Sequence, residues 1–138
     1  GIYSDQIYKL STENSLVKYY GLVPSEEAAS ISSNYEWALA PIDDQITRYA
    51  FPSKISSYAY TGAKILAICS EDTSVAKWVR VNHVGFVIKP TLDTIINFFF
   101  EIEKNNIDTS FIDMERKELK KILSMNKFVN NIKSKIFP

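Results

Sequence analysis

The chain of 138 residues predicts an α/β fold: a doubly wound, Rossmann-like parallel sheet followed by C-terminal helices. Three observations carry that prediction. Short runs of β-branched, aromatic and small apolar residues alternate with segments of helical period. The runs are apolar nearly throughout, not at every second residue, as strands covered on both faces are. Proline, serine and acids stand where helices would begin, and glycines where elements would end. Strands separated by helices in this way pair in parallel through right-handed crossovers.

Taken in order, Leu16-Val-Lys-Tyr-Tyr20 reads as a first strand ended by Gly21. Pro24-Ser-Glu-Glu27 opens a helix, its acids placed where the positive end of the macrodipole favours them. Glu36–Ala40 is the second strand, Ser53–Tyr60 a helix, Lys64–Cys69 the third strand, Ser74–Val81 a helix, and Val84–Ile88 the fourth strand. A helix continues from Thr91, with Leu92, Ile95, Ile96, Phe99 and Ile102 at helical spacing. Phe98 and Phe100 widen its apolar stripe, a surplus that predicts a contact beyond one core. Two helical segments follow, Met114–Ser124 and Met125–Ile136, the second with Met125, Phe128, Val129, Ile132 and Ile136 on one face. The expected organisation is a sheet domain over 1–110 and a helical extension over 111–138.

Composition narrows the function classes. A hydrophobic content of 46% suffices for one core, and 16 basic residues balance 16 acidic ones, so overall charge gives no argument for a nucleic-acid partner or an acidic substrate, and no nucleic-acid partner is expected. The single Cys69, inside an apolar run, forms no internal disulfide and reads as a core residue in a reducing compartment, hence a cytoplasmic location. No run reaches the ~18 apolar residues of a membrane span, and no signal-peptide pattern opens the chain. The chain starts on Gly1 instead of Met, as it would either behind a tag remnant or as a piece of a longer protein.

Ligands of open parallel sheets sit outside the carboxyl ends of the strands, which directs attention to loops 21–25, 41–53, 70–73 and 89–91. The longest carries Asp43, Asp44, Arg48 and Tyr49 and delivers the chain to a helix start at Ser53-Lys54. A cation in a first helical turn opposes the dipole, unless an anion bound at the helix N-terminus makes it a ligand. Other tempting residues have plainer readings. His83, the single histidine, has no second ligand spaced to hold a metal and belongs to a surface turn; no metal or cofactor is expected. Asp43-Asp44 suits a turn, Trp37 and Trp78 suit core and rim packing, and the lysines of 114–138 suit a solvated helix face.

The stretches Gly21-Leu-Val-Pro-Ser-Glu-Glu27, Trp37-Ala-Leu-Ala-Pro-Ile42, Phe51-Pro-Ser-Lys-Ile-Ser-Ser-Tyr-Ala-Tyr-Thr-Gly62-Ala-Lys-Ile-Leu-Ala67 and Val84-Gly-Phe-Val-Ile88 stand in one register. Together, over about residues 16–105, they resemble the C-terminal half of GT-B-fold, family 4-like glycosyltransferases. The resemblance implies a domain that holds a nucleotide-diphosphate sugar for transfer to a glycan or lipid-linked acceptor. Leu22 and Val23 would line the base pocket through their backbone, and Ser53 and Lys54 would lie against phosphates and sugar. Gly62 would end the helix, a role its φ freedom also supports. Ser57 stands where the family has a ribose-binding glutamate, and Tyr49, beside Arg48, where it has an acid near the donor sugar. The family's Gly-Arg strand and its N-terminal acceptor-binding domain would lie upstream, so the chain alone is expected to be inactive. Peripheral contact with the inner membrane face is a further implication. Two other readings stay open: a receiver-like phosphoacceptor domain using Asp43 or Asp44, Ser70 and Lys89, and a non-catalytic α/β interaction module.

Overall fold

A computed structural model describes residues 3–43, 51–113 and 118. In chain order its elements are α1 (Ser4–Glu13), α2 (Ser25–Ser33), β1 (Trp37–Pro41), α3 (Ser53–Thr61), β2 (Lys64–Ile68), α4 (Ser74–Val81), β3 (Gly85–Ile88) and α5 (Leu92–Glu103). The three strands form one parallel sheet in the order β1-β2-β3, with Leu39 opposite Leu66 and Leu66 opposite Phe86.

Every residue of β2 is buried, which explains the unbroken apolar run Ile65–Ile68 that follows Lys64. Successive side chains point to opposite faces of a strand. Ile65 and Ala67, with Ala40, Cys69 and Val84, join Ile55 and Ala59 of α3 and Val75, Ala76 and Val79 of α4 in one core. Leu66 and Ile68 join Phe98 of α5 in a second, with Trp37, Phe86, Ile95 and Phe99 packed against it. Trp37 thus serves the core, and Trp78, half-buried with its ring edge-on to Phe51 at 5.5 Å, serves its rim.

Two expectations are corrected. Leu16–Tyr20 is no strand, so the sheet of the described residues has three strands, not four. Asn14 turns the chain there: its carbonyl accepts from the Val17 N–H at 3.0 Å and its Oδ1 from the Leu16 N–H at 3.0 Å. Leu16 is left 91% exposed. Strand-forming residues make a strand only when a partner takes up their hydrogen bonds and one face is covered. Ahead of this turn lies α1, which the periodicity did not announce because it buries none of its residues. The second correction concerns the phase of α5. Phe98 is its buried residue, while Leu92 and Ile96, assigned to the core stripe from spacing, are 71% and 56% exposed. The expected helices 114–124 and 125–136 lie, apart from Glu118, outside the described residues.

The remaining element ends fall within two residues of expectation, and their caps show why. Thr73 accepts from the Ala76 N–H at 3.1 Å to start α4, and Thr91 accepts from the Thr94 N–H at 3.3 Å to start α5. Gly62 ends α3 at φ 91°; its N–H and that of Ala63 both reach the Tyr58 carbonyl at 3.2 Å, closing a Schellman-type turn. Gly62→Ala should therefore cost about 1 kcal/mol, the usual price of a side chain in left-handed backbone, read as a lower urea midpoint at unchanged m-value.

After α5 the chain returns beneath the sheet. Ile112 is fully buried and Phe111 packs on Phe86 at 5.8 Å. The Ser110 hydroxyl, and next its N–H, which donates to Asp108 Oδ1 at 2.9 Å, hold the Asp108 carboxyl below the usual carboxylate range. Lys64, 6% exposed at the amino edge of β2, is the one buried cation among the described residues. Its ammonium donates to Glu36 Oε1 at 2.8 Å and Thr109 Oγ1 at 3.0 Å, with Asp113 at 3.9 Å. The partners stay largely exposed, so the cation is satisfied without burying a matching acid.

Candidate functional site

The sequence-predicted cation Lys54 lies on a groove between α2 and α3. The groove has a volume of about 330 Å³, and Ser25, Ser32, Lys54, Ser57, Tyr58 and Thr61 supply its polar wall. A neighbouring recess of about 270 Å³ continues it past Ala29, Ser56 and Tyr60. The reason two helices leave such a groove is local. Ser25, Ala28, Ala29 and Ser32 stand at i, i+3, i+4 and i+7, one helical face of small side chains that holds α2 close to α3 without filling the space.

On the other wall, α3 turns Ile55 and Ala59 into the core and so leaves Lys54, Ser57 and Thr61 facing away from it. Its N-terminus differs from those of α4 and α5. Pro52 occupies the N-cap and provides no side-chain acceptor, and no acid stands in the first turn. The first N–H groups of a helix have no partner inside it, and the dipole adds partial positive charge there. Lys54 is exposed and, among the described residues, forms no ion pair. Ser57 spends its hydroxyl proton locally, donating to the Ser53 carbonyl at 3.3 Å, which leaves its oxygen free to accept. Thr61 likewise donates to the Tyr58 carbonyl at 2.9 Å. The wall is thus one exposed cation and several hydroxyl oxygens, suited to an anion that also carries hydroxyl donors.

Of the predicted site residues, the structure brings Lys54 and Ser57 together on this groove; Ser53, exposed in the first turn of α3, does not line it. Leu22 is fully exposed and Val23 half-buried, one turn ahead of α2, and neither lines it. Gly21, at φ 70° in open space, turns the chain toward them. Arg48 and Tyr49, with Asp44, lie outside the described residues; Asp43 is exposed beyond β1. Ser25, Ser32, Tyr58 and Thr61 were missed, although the spacing of small residues in α2 is visible in the sequence.

A second polar recess, about 400 Å³ between Asn34, Glu36, Thr61, Lys64 and Asp113, opens by the amino end of β2 and shares Thr61 with the groove. Its cation is already matched by Glu36 and Thr109, so its chemistry is structural. His83 sits in a turn at φ 49° with its ring edge-on to Phe111 at 6.3 Å. Among the described residues no three His, Cys, Asp or Glu side chains are grouped to hold a metal ion, and no helix is long and apolar enough to cross a membrane. Near the chain start, the Tyr20 and Tyr35 hydroxyls meet at 3.0 Å, a hydrogen bond that pushes the Tyr35 pKa above the ordinary tyrosine value. Comparison with protein-family models, with curated proteins and with solved structures finds no match.

Proposed function

We propose that this chain is the donor-binding part of a GT-B-fold, family 4-like glycosyltransferase, holding a nucleotide-diphosphate sugar whose phosphates lie at the start of α3. The observation that carries the reading is Lys54: an exposed cation in the first turn of a helix without a side-chain cap, on a groove walled by hydroxyls. A cation there is a liability until an anion arrives. Two cores on opposite faces of the parallel sheet support the doubly wound, Rossmann-like arrangement that belongs to the same reading. Transfer would require the acceptor-binding half expected upstream, with acceptors that are glycans or lipid-linked sugars.

Titration calorimetry of the chain with UDP, GDP and the corresponding nucleosides tests this. Binding of a diphosphate in the millimolar range or better is expected, and Lys54→Ala should weaken it by about 1.5–3 kcal/mol, the size of a charge-assisted hydrogen bond. The nucleosides should be nearly indifferent to the substitution, and the folded chain equally stable or slightly more so. Equal losses for nucleoside and diphosphate would remove Lys54 from the phosphate site. No heat with any nucleoside diphosphate would favour the interaction-module reading.

A further inference from the structure

The outer face of α5 is an apolar stripe that the sheet does not use. Leu92, Ile96 and Phe100, at i, i+4 and i+8, are each at least half exposed, whereas Ile95, Phe98, Phe99 and Ile102 face the sheet. Three residues at this spacing mark about 12 Å of helix surface. Asp93, Glu101 and Glu103 flank the stripe, and Lys104 lays its ammonium over the Phe100 ring at 3.9 Å. A row of large apolar side chains on one helix face, rimmed by charge, is the pattern of a contact surface.

We propose that the occupant of this face is the chain's own C-terminal segment, residues 119–138. That segment lies outside the described residues; its sequence repeats the same pattern with the opposite charge. Phe128, Ile132 and Ile136 stand at i, i+4 and i+8, and the segment has five lysines and no acid. The α5 sequence has three acids and no base. Two matched stripes with complementary flanks bury each other's apolar area and pair their charges, whereas a second α5 would bring its own Asp93, Glu101 and Glu103 against theirs. This inference is independent of the donor site.

Ile96 and Ile132 are the middle residues of their stripes, so they meet whether the segments run parallel or antiparallel. Mild oxidation of the full chain carrying Ile96→Cys and Ile132→Cys is expected to give a disulfide within one chain, the buried Cys69 taking no part. A second measurement stands apart from the cysteines. Trypsin should cut after Lys127, Lys133 and Lys135 at least tenfold faster in Ile96→Asp/Phe100→Asp than in the wild type. Near-UV circular dichroism should be unchanged, because both residues face away from the cores. The wild type should sediment as a monomer and stay in solution with phosphatidylserine vesicles. Equal cleavage rates together with cross-links only between chains would overturn the proposal. A wild-type dimer that the α5 variant dissociates would assign the stripe to a second copy, and salt-reversible pelleting with the vesicles would assign the basic segment to a lipid surface; either result overturns it.

Discussion

Gly85→Ala is expected to abolish cooperative folding or to lower stability by about 4 kcal/mol, at the extreme of single substitutions. Gly85 opens β3 and pairs with Ile65 of the central strand. A Cβ at this position would stand 1.8 Å from the Ile65 carbonyl oxygen, 2.6 Å from its carbonyl carbon and 2.8 Å from its nitrogen. These are backbone atoms of a residue with no exposure, its N–H donating at 3.0 Å to the carbonyl of Val84, the residue just before β3. Relief therefore requires β3 to move off β2, and that movement would open both cores at once, since β2 contributes to each. Close approach of two backbones is the reason for glycine here, a different one from the left-handed backbone of Gly62. Urea unfolding followed by circular dichroism measures the effect. A loss of no more than the ~1 kcal/mol expected for Gly62→Ala would mean that the two strands do not lie this close.

What the sequence made legible follows from the range of the forces that shape each element. Ile65–Ile68 was readable as part of a buried strand because covering on both faces makes successive residues apolar, a signal held within a few positions. The starts of α4 and α5 were readable because Thr73 and Thr91 bond to amides three residues away. Leu16–Tyr20 has strand-like composition but depends on a distant partner, and nothing local distinguishes a pairing strand from a turn led by Asn14. Burial of Lys64 was equally hidden: its acceptors come from 28 and 45 residues along the chain. In the candidate site, Lys54 was visible as a charge that conflicts with its local dipole. Its neighbours across the groove were not, because the approach of α2 depends on small residues that carry no chemistry of their own.

Phe98→Ala is expected to cost about 3–5 kcal/mol, the range for removing a buried aromatic ring and leaving a cavity. Seven of the twelve residues of α5 are apolar, so spacing alone permits several phases of the helix, and the three adjacent phenylalanines look equivalent in sequence. Their surroundings separate them. Phe98 is 8% exposed and contacts Trp37 of β1 at 5.5 Å, Phe86 of β3 at 5.4 Å and Phe99 at 5.7 Å between ring centroids. It is the ring through which α5 grips both outer strands, over Leu66 of the strand between them. Edge-to-face and tilted contacts of this kind add about 0.5–1.5 kcal/mol each beyond area burial, and all are lost together. The neighbouring side chains are rings fixed by the sheet beneath them, which limits collapse into the vacated space. Phe100→Ala, at a ring half exposed under the Lys104 ammonium and outside both cores, should cost clearly less than Phe98→Ala, the contact with the C-terminal segment included. The pair is decisive as a ratio in equilibrium urea unfolding. If Phe100→Ala proved the more damaging substitution, α5 would be rotated relative to the sheet, and the apolar stripe assigned to its outer face would lie inside.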